Sequence, residues 1–286
     1  MPNPSSPKLG NRRVTGKEQY YTPADLARRL VETVSDLVGG LSDRTVLEPA
    51  GGTGAFVKAA KAAGAAKVVA FDIEPKARGV KAADFLETDL ATTKAITISN
   101  PPFGRNNSLS IPFFNHAADA SDYIAFIVPR SWRKWSVLNR LDRRFHLVYD
   151  EDLQIDYVND SGELIKGNSR LATCFQIWQK RRNLRPIVSV VDHEFIKKVA
   201  PHDADVALTI FGYGCGRVRT EFKREKNTTQ MFLKLNHPKA LEALQAVDFS
   251  RFFRNTAYTE ALSLQEINYL LNEHLLGHSG LKENHK

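Results

Sequence analysis

Residues 45–56 read TVLEPAGGTGAF, and this stretch decides the fold class. An apolar run ending at Glu48 predicts a buried strand. The glycines at positions 51, 52 and 54 predict a tight turn, and the alanine-rich sequence after them predicts a helix. A strand, a glycine turn and a helix in this order are typical of the ligand-binding turn of an open α/β sheet. We therefore expect an α/β protein that binds its ligand at this turn.

The glycine turn lacks the features that phosphate-binding turns require. A dinucleotide fingerprint needs a further glycine three residues after Gly54, and Val57 occupies that position. A Walker-type turn needs Lys-Ser or Lys-Thr after the glycines, and neither follows here. The carboxylate of Glu48 at the strand end instead suits a ligand that carries positive charge.

Two further acidic positions follow predicted strands. Residues 67–72 read KVVAFD and predict a strand ending at Asp72, where a carboxylate can bind two ribose hydroxyls. A helix cap or a solvated turn uses the same residue type, so this alternative stays open. Residues 84–89 read DFLETD and offer another acidic strand end, although each carboxylate there, taken alone, favours a surface position.

Residues 95–103 read AITISNPPF, a buried strand followed by an amide and two prolines. Because proline fixes φ and restricts the residue before it, we expect Asn100 and the Pro101 carbonyl to be held rigidly at the sheet edge. These two oxygens can accept both hydrogens of one exocyclic amino group, and Phe103 can lie flat against the ring that carries it. A proline-rich turn with a packed phenylalanine is the alternative.

These segments together resemble an S-adenosylmethionine-dependent amino-methyltransferase of the adenine-N6 kind. The resemblance covers residues 20 to 180, and the order of the motifs is similar to the gamma arrangement of these enzymes. Residues 100–103 match the family's catalytic Asn/Asp-Pro-Pro-Tyr/Phe motif. Phe103 stands where many members carry tyrosine, which preserves stacking and loses a hydroxyl.

The resemblance implies a catalytic set and a cofactor-binding set of residues. The catalytic residues are Asn100, Pro101, Pro102 and Phe103. The residues that bind S-adenosylmethionine are Tyr21, Thr22, Pro23, Glu48, Ala50, Gly52, Gly54, Phe56, Asp72, Ile73, Asp89 and Asn100. In this scheme Asp72 binds the ribose and Asp89 lies near the cofactor adenine, and no metal ion is implied.

The resemblance also implies the architecture. We expect an α/β, Rossmann-like methyltransferase sheet of seven strands with the last strand antiparallel, and a small C-terminal α+β appendage. The expected organisation is a flexible N-terminal tail over 1–16, the methyltransferase domain over 17–182, a substrate-recognition appendage over 183–276 and a flexible tail over 277–286.

The charge of the chain favours a nucleic-acid partner. The formal net charge is +8 and the isoelectric point is about 9.4. The predicted nucleic-acid contacts are Arg130, Trp132, Arg133, Lys134, Arg217 and Arg219. The first four belong to a basic cluster over residues 130–144, for which a solvated helix face is the alternative. The last two follow the glycine-rich run 212–216, whose N–H groups could approach phosphates, with an ordinary hairpin as the alternative.

Other classes of protein are disfavoured. The two cysteines, Cys174 and Cys215, have no partner spacing, and no zinc pattern is visible. No apolar run approaches membrane-spanning length, and residues 1–10 lack the apolar region of a signal peptide. We therefore expect a cytoplasmic protein of a prokaryote or phage, without a membrane or metal partner.

The predicted function is transfer of a methyl group from S-adenosylmethionine to the exocyclic N6 amine of adenine in DNA. The target base would be flipped out of the duplex onto residues 100–103, and the enzyme would act alone or beside a restriction partner. An adenine-N6 enzyme acting on ribosomal or messenger RNA is the alternative, and a protein glutamine-N5 methyltransferase is less favoured. A nucleic-acid binder that only keeps the fold is the least favoured, because the motifs are intact.

Overall fold

A mixed β-sheet occupies the first part of the chain. The computed structural model describes residues 20–91, 94–165, 171–222 and 226–285. The described residues up to Ile187 form one compact unit, and those within Val188–Glu283 form a second. The tail predicted over residues 1–16 lies outside the described residues.

The strands of the first unit are β1 Thr45–Glu48, β2 Lys67–Asp72, β3 Lys81–Ala82, β4 Ala95–Ser99, β5 Ser121–Pro129, β6 Phe145–Leu153 and β7 Thr173–Lys180. Over the described residues they form one seven-stranded sheet in the order β3-β2-β1-β4-β5-β7-β6. Neighbours from β3 to β5 are parallel, whereas β7 is antiparallel to both β5 and β6. The predicted Rossmann-like sheet with its last strand antiparallel is confirmed.

The helices of the first unit are α1 Ala24–Val38, α2 Ala55–Ala62, α3 Ser110–Ala120 and α4 Trp135–Leu138. α1 buries Leu30, Val31 and Val34, which lie at helical spacing along one face. It ends at Gly39, which has a φ of 79° and donates its N–H to the Ser35 carbonyl.

The parallel register places three polar positions at one edge of the sheet. Glu48 at the end of β1 pairs with Ala70 of β2, and Asp72 ends β2 two residues later. β1 also pairs with β4, whose last residue, Ser99, precedes Asn100. Because the carboxyl ends of parallel strands meet at one edge, Glu48, Asp72 and Asn100 lie where open α/β sheets bind their ligands.

Aromatic side chains fill the core between α3 and the sheet. Phe114 of α3 is fully buried, and its ring centroid lies 5.6–6.1 Å from those of Phe126, Trp132, Phe145 and Trp178. All four contacts are edge-to-face, the arrangement that the charge distribution of aromatic rings favours. Phe114 thereby joins three strands to the segment that follows β5.

The second unit is α+β. Its strands are β8 Ile187–Val190, β9 Ile196–Lys198, β10 Val206–Phe211, β11 Val218–Arg219, β12 Thr229–Leu235 and β13 Leu281–Asn284, and its helices are α5 Ala240–Ala246, α6 Ser250–Phe253 and α7 Leu264–Leu276. β9 to β12 form an antiparallel sheet in the order β11-β10-β12-β9, and β13 pairs with β8. α7 starts with a capping box between Ser263 and Glu266.

The prediction of a flexible tail over residues 277–286 is wrong for residues 281–284. Residues 281–284 form β13, and all four side chains are exposed. Asn272, which is fully buried, supports this segment because its Nδ2 donates to the carbonyls of Ser279 and Val191 at 3.1 and 2.9 Å. Among the described helices, none is long and apolar enough to cross a membrane.

Candidate active site

Glu48 is a buried carboxyl group at the end of β1. It is 1% exposed, and its Oε1 accepts hydrogen bonds from the Ser99 hydroxyl at 2.5 Å and from the Ala50 N–H at 2.9 Å. Burial raises the pKa of Glu48 to about 8, the two hydrogen bonds oppose part of the rise, and the Asp72 carboxylate adds to it. A cation bound beside this group would favour its ionised form.

The turn after β1 requires glycine at two positions. Gly52 has a φ of 44°, and a Cβ there would lie 2.6 Å from Tyr21 Cε1. Gly54 has a φ of 79° and caps α2, and a Cβ there would lie 2.8 Å from the Ala77 methyl group. Phe56, in the first turn of α2, is buried. The turn is therefore packed too closely for any side chain at Gly52 or Gly54.

Asp72 is hydrogen-bonded to the same turn. Its Oδ2 accepts from the Gly52 N–H and its Oδ1 from the Glu74 N–H, both at 2.7 Å. Each carboxylate oxygen has two lone pairs, so both keep the capacity to accept a hydroxyl. The next residue, Ile73, is 71% exposed. A carboxylate beside an exposed apolar side chain suits a nucleoside, which joins a polar sugar to a flat base.

The residues before α1 cross this edge of the sheet. Tyr21 forms an antiparallel bridge with Val158, in the connection between β6 and β7, with N···O distances of 3.0 and 3.2 Å. Burial, followed by the charges of Asp72 and Asp160, raises the pKa of Tyr21. Thr22 is 6% exposed, and its hydroxyl has no hydrogen-bond partner among the described groups. A buried hydroxyl in this position can bond to a ligand.

The orientation of the Asn100 amide is fixed by the segment before α1. Its Nδ2 donates to the Tyr20 carbonyl at 3.3 Å, so the amide oxygen is the atom that Asn100 offers to a ligand as an acceptor. Pro101 is buried, whereas Pro102 and Phe103 are partly exposed. The segment therefore combines an oriented amide oxygen with a buried Pro101 and a partly exposed Phe103.

Two hydrogen bonds that the sequence did not reveal hold the loop after Phe103. Asn107 is 6% exposed, has a φ of 61°, and donates through Nδ2 to the Ser131 hydroxyl at 3.0 Å. Trp132 Nε1 donates to the Ser110 hydroxyl at 3.3 Å, and the Ser110 N–H donates to the Phe103 carbonyl at 3.3 Å. The segment after β5 therefore positions this loop. Two successive asparagines, which tolerate positive φ, are its sequence signal.

Carboxylates neutralise much of the basic cluster over residues 130–144. Arg133 donates to both carboxylate oxygens of Asp150 at 2.6 and 2.9 Å and to Asp152 at 2.7 Å. Arg130 lies 2.8 Å from the other Asp152 oxygen. Both aspartates belong to β6, which follows the cluster in the sequence and lies next to it only in the folded chain. A phosphate must displace these ion pairs to reach either arginine, which weakens the prediction that they bind nucleic acid.

Trp132 is a core residue. It is fully buried, with its ring centroid 5.6 Å from that of Phe114 and 6.5 Å from that of Phe126. The prediction that Trp132 contacts nucleic acid is therefore wrong, because stacking on a base requires an exposed ring. Lys134, just before α4, is partly exposed.

Several N–H groups of the glycine-rich run in the second unit already have hydrogen-bond partners within the protein. Those of Gly212, Cys215, Gly216 and Arg217 donate to backbone carbonyls at 2.8–3.1 Å. The predicted approach of phosphates to the backbone of this run is wrong at these four positions, because their donors are already bonded. The side chain of Arg217 is available at the surface, and Arg219 in β11 is partly exposed.

The second unit carries no net charge. Over Val188–Glu283 the sequence has 12 lysines and arginines and 12 aspartates and glutamates, so the excess of +8 lies elsewhere in the chain. Any contact between this unit and a polyanion must depend on where individual arginines lie rather than on an overall basic surface.

Asp89 and Pro23 are the two remaining predicted cofactor positions, and their place in a site stays a prediction. Asp89 is exposed and follows a short 3-10 helix over Phe85–Glu87, and Pro23 immediately precedes α1. Burial raises the pKa of the Cys174 thiol to about 12, which makes it unreactive at neutral pH. Within the described residues, no three or more His, Cys, Asp or Glu side chains are arranged to hold a metal ion.

The sequence matches no protein-family model and no curated protein. The structure is similar to that of a Pyrococcus horikoshii protein provisionally assigned as an RNA methyltransferase, with 21% identity, a TM-score of 0.47, and coverage of 57% of this chain and 88% of that chain. It is also similar to a Listeria monocytogenes protein provisionally assigned as a class I S-adenosylmethionine-dependent methyltransferase, with 15% identity, a TM-score of 0.42, and coverage of 56% and 60%.

A third similar structure is the M protein of the type I restriction enzyme EcoKI. Its sequence is 16% identical to this one, the TM-score is 0.43, and the match covers 57% of this chain and 44% of that chain. At these identities and TM-scores, the likeness extends to no site residue and to no substrate.

The raised pKa of Glu48 predicts a stability that falls as pH rises. The folded protein holds this proton up to a pH of about 8, whereas the unfolded chain releases it near the ordinary value of 4.5. Between these two values the contribution of Glu48 to the free energy of unfolding falls by about 1.4 kcal/mol per pH unit. Glu48→Gln, which carries no such proton, should lack this slope in denaturant unfolding measured from pH 5 to 8. The exposed Glu87→Gln is the control, and parallel curves for the Glu48 variant and the parent would contradict the assignment.

The positive φ of Asn107 and its buried amide contribute separately to the stability of the loop, and two substitutions distinguish them. Asn107→Ala removes the hydrogen bond to Ser131 and strains the backbone, so we expect a loss of about 1–3 kcal/mol in the free energy of unfolding. Asn107→Gly removes only the bond and should lose less. Hydrogen exchange at the Leu109 and Ser110 N–H groups should accelerate in both variants, and unchanged exchange would show that Asn107 does not hold this loop.

Proposed function

We propose that this protein transfers a methyl group from S-adenosylmethionine to the exocyclic N6 amine of adenine in DNA. The observation that carries the proposal is the hydrogen bond from Asn100 to the Tyr20 carbonyl, which orients the amide oxygen as an acceptor. The Pro101 carbonyl follows directly in the chain, and Phe103 is partly exposed two residues later. These groups match a planar ring that carries an amino group with two hydrogens to donate.

The residues around the glycine turn fit S-adenosylmethionine. Asp72 can accept both ribose hydroxyls, and exposed Ile73 can pack against the adenine ring. The Thr22 hydroxyl and the Glu48 carboxyl group suit the charged amino-acid end of the cofactor. When bound, the cofactor supplies a methyl group made electrophilic by an adjacent sulfonium charge.

The acceptors of the site address the chief obstacle to N6 methylation. The lone pair of an adenine amine is delocalised into the ring, so the nitrogen is a poor nucleophile. The Asn100 oxygen and the Pro101 carbonyl each accept one N–H, which orients the amine and favours a tetrahedral nitrogen with its lone pair free. Both acceptors are neutral, so they position the amine without first removing a proton. The nitrogen would gain the methyl group as the bond from that methyl to sulfur breaks, and the cationic nitrogen would then release one proton to solvent. Phe103 can stack on a base that has left the duplex.

Adenine in RNA and the side-chain amide of glutamine in a protein present the same kind of N–H donors to these acceptors. The net charge of +8 favours a nucleic acid over a protein substrate, and the choice of DNA over RNA follows from the motif resemblance alone. Incubation of the full chain with DNA, RNA and labelled cofactor, followed by digestion and identification of the methylated product, separates the three. N6-methyladenine from DNA supports the proposal, whereas label in RNA or protein alone overturns the choice of DNA.

Removal of the amide at position 100 should separate turnover from cofactor binding. We expect Asn100→Ala to abolish methyl transfer while it still binds S-adenosylmethionine, because the amide acts on the target amine. Asn100→Asp keeps an acceptor oxygen and loses the donor to Tyr20, so we expect reduced but detectable transfer. The measurements are label incorporation and cofactor calorimetry, and full activity of Asn100→Ala would refute the catalytic role.

Removal of the carboxylate at position 72 should weaken the binding of the cofactor. Asp72→Ala leaves two hydroxyls without a charged acceptor, so we expect S-adenosylmethionine affinity to fall by about 1–3 kcal/mol in calorimetry. Asp36→Ala, at an exposed position on α1, is the control for loss of a carboxylate. Equal affinity in the two variants would remove Asp72 from the site.

A further inference from the structure

Three exposed aromatic residues lie at the end of β10, in the turn that follows it and in the neighbouring segment before Ala261. Tyr213 is 85% exposed, Tyr258 is 66% exposed and Phe211 is 44% exposed. Single exposed apolar side chains are common, but a group of large rings in adjacent segments indicates a binding surface. We call these three residues the aromatic tip.

Backbone pairing brings these segments together. Phe211 forms an antiparallel bridge with Ala261. On either side of this bridge the Gly212 N–H donates to the Glu260 carbonyl at 3.0 Å, and the Leu262 N–H donates to the Ile210 carbonyl at 2.9 Å. The chain that carries Tyr258 therefore runs beside the chain that carries Tyr213.

The turn that presents Tyr213 is held in one conformation. Gly212 has a φ of 95°, and a Cβ there would lie 2.2 Å from the Asn227 carbonyl oxygen. Gly216 packs on Phe249, where a Cβ would meet the ring and its Cβ at 3.0–3.3 Å. Cys215 between them is buried. The turn is anchored on both sides of an exposed ring, so little conformational entropy is lost when that ring binds a partner.

Two arginines accompany the aromatic tip. The Arg217 guanidinium lies 3.6–3.8 Å from where a Gly214 Cβ would stand, next to Tyr213. Arg254, four residues before Tyr258, is exposed, and its guanidinium lies 5.7 Å from the centroid of the Phe253 ring. Arg217 and Arg254 are thus two exposed cations beside the rings, with Glu260 as a carboxylate in the same segment as Tyr258 and Asp248 as a second carboxylate that interacts electrostatically with Arg254.

We infer that the aromatic tip stacks on unpaired nucleotide bases while Arg217 and Arg254 contact the phosphates beside them. The inference rests on the proposed function and adds to it the form of the substrate, a stretch of single-stranded or locally opened nucleic acid. Every base has a flat face, so aromatic rings with flanking cations bind single strands with little dependence on sequence. Exposed tyrosines and arginines also occur in protein interfaces, so the test below treats self-association as a separate outcome that would overturn the inference.

The test is fluorescence anisotropy of the full chain with labelled single-stranded DNA, single-stranded RNA and duplex DNA, all without cofactor. Tyr213→Ala and Tyr258→Ala should each weaken single-strand binding roughly 5- to 150-fold. Tyr213→Phe, which keeps the ring, should bind as the parent does. Arg217→Ala should lower the slope of log affinity against log salt by about 0.7, with Lys197→Ala, at an exposed position of the same unit, as the control.

The outcomes for the tip are distinct from those for the proposed reaction. Parental affinity in both alanine variants, or equal loss on duplex and single strands, would overturn the inference. So would concentration-dependent self-association that Tyr213→Ala abolishes while strand binding is unchanged, because the tip would then bind a second copy of this chain. A chain that binds single strands through the tip but methylates nothing refutes only the proposed function. Comparison of the affinities for single-stranded DNA and single-stranded RNA identifies which nucleic acid the tip prefers.

Discussion

The hydrogen bond between Glu48 and Ser99 is the interaction on which the arrangement of the sheet edge depends. It joins the carboxyl ends of two adjacent parallel strands inside the protein, where both groups are shielded from water. A buried carboxyl group costs free energy unless it is bonded or protonated, and here it is bonded and has a raised pKa. The same contact helps to fix the distance between the glycine turn after β1 and Asn100 after β4, because it joins the ends of the two strands from which they leave.

The rest of the site is assembled from segments that are far apart in the sequence. The residues before α1 bridge to the β6–β7 connection and, at the same time, receive the hydrogen bond from Asn100. On the other side, the turn after β5 holds the loop that follows Phe103 through Asn107 and Ser110. Each side of Asn100-Pro101-Pro102-Phe103 is thus braced by a different part of the chain, as the positioning of a reactive group requires.

The sequence predicted the sheet and the positions at its edge because strand periodicity, glycine turns and prolines are local signals. It failed where the outcome depended on distant residues. Trp132 stands among arginines in the sequence, but aromatic residues of α3 and β5 enclose it, and the aspartates that pair with Arg133 arrive on β6. All four side chains of β13 are exposed, so its sequence has no apolar pattern from which a strand could be predicted. Several N–H groups of the glycine-rich run donate partly within its own turn and partly to the carbonyls of Thr209 and Glu260, pairings that only the folded backbone shows.

The connection between β6 and β7 leaves and re-enters the sheet at paired residues, Leu153 and Thr173, on the same edge as Asn100. Its ends are fixed by the two strands. Its first part is fixed as well, because Tyr157 is 1% exposed and Val158 bridges to Tyr21, whereas residues 160–164 are exposed. Doubling the length of a flexible loop costs only about 0.6 kcal/mol. An added residue in the exposed turn over 160–162 would therefore cost little, whereas one inserted next to Tyr157 or Val158 would shift the backbone that pairs with the residues before α1 and so displace the partner of Asn100.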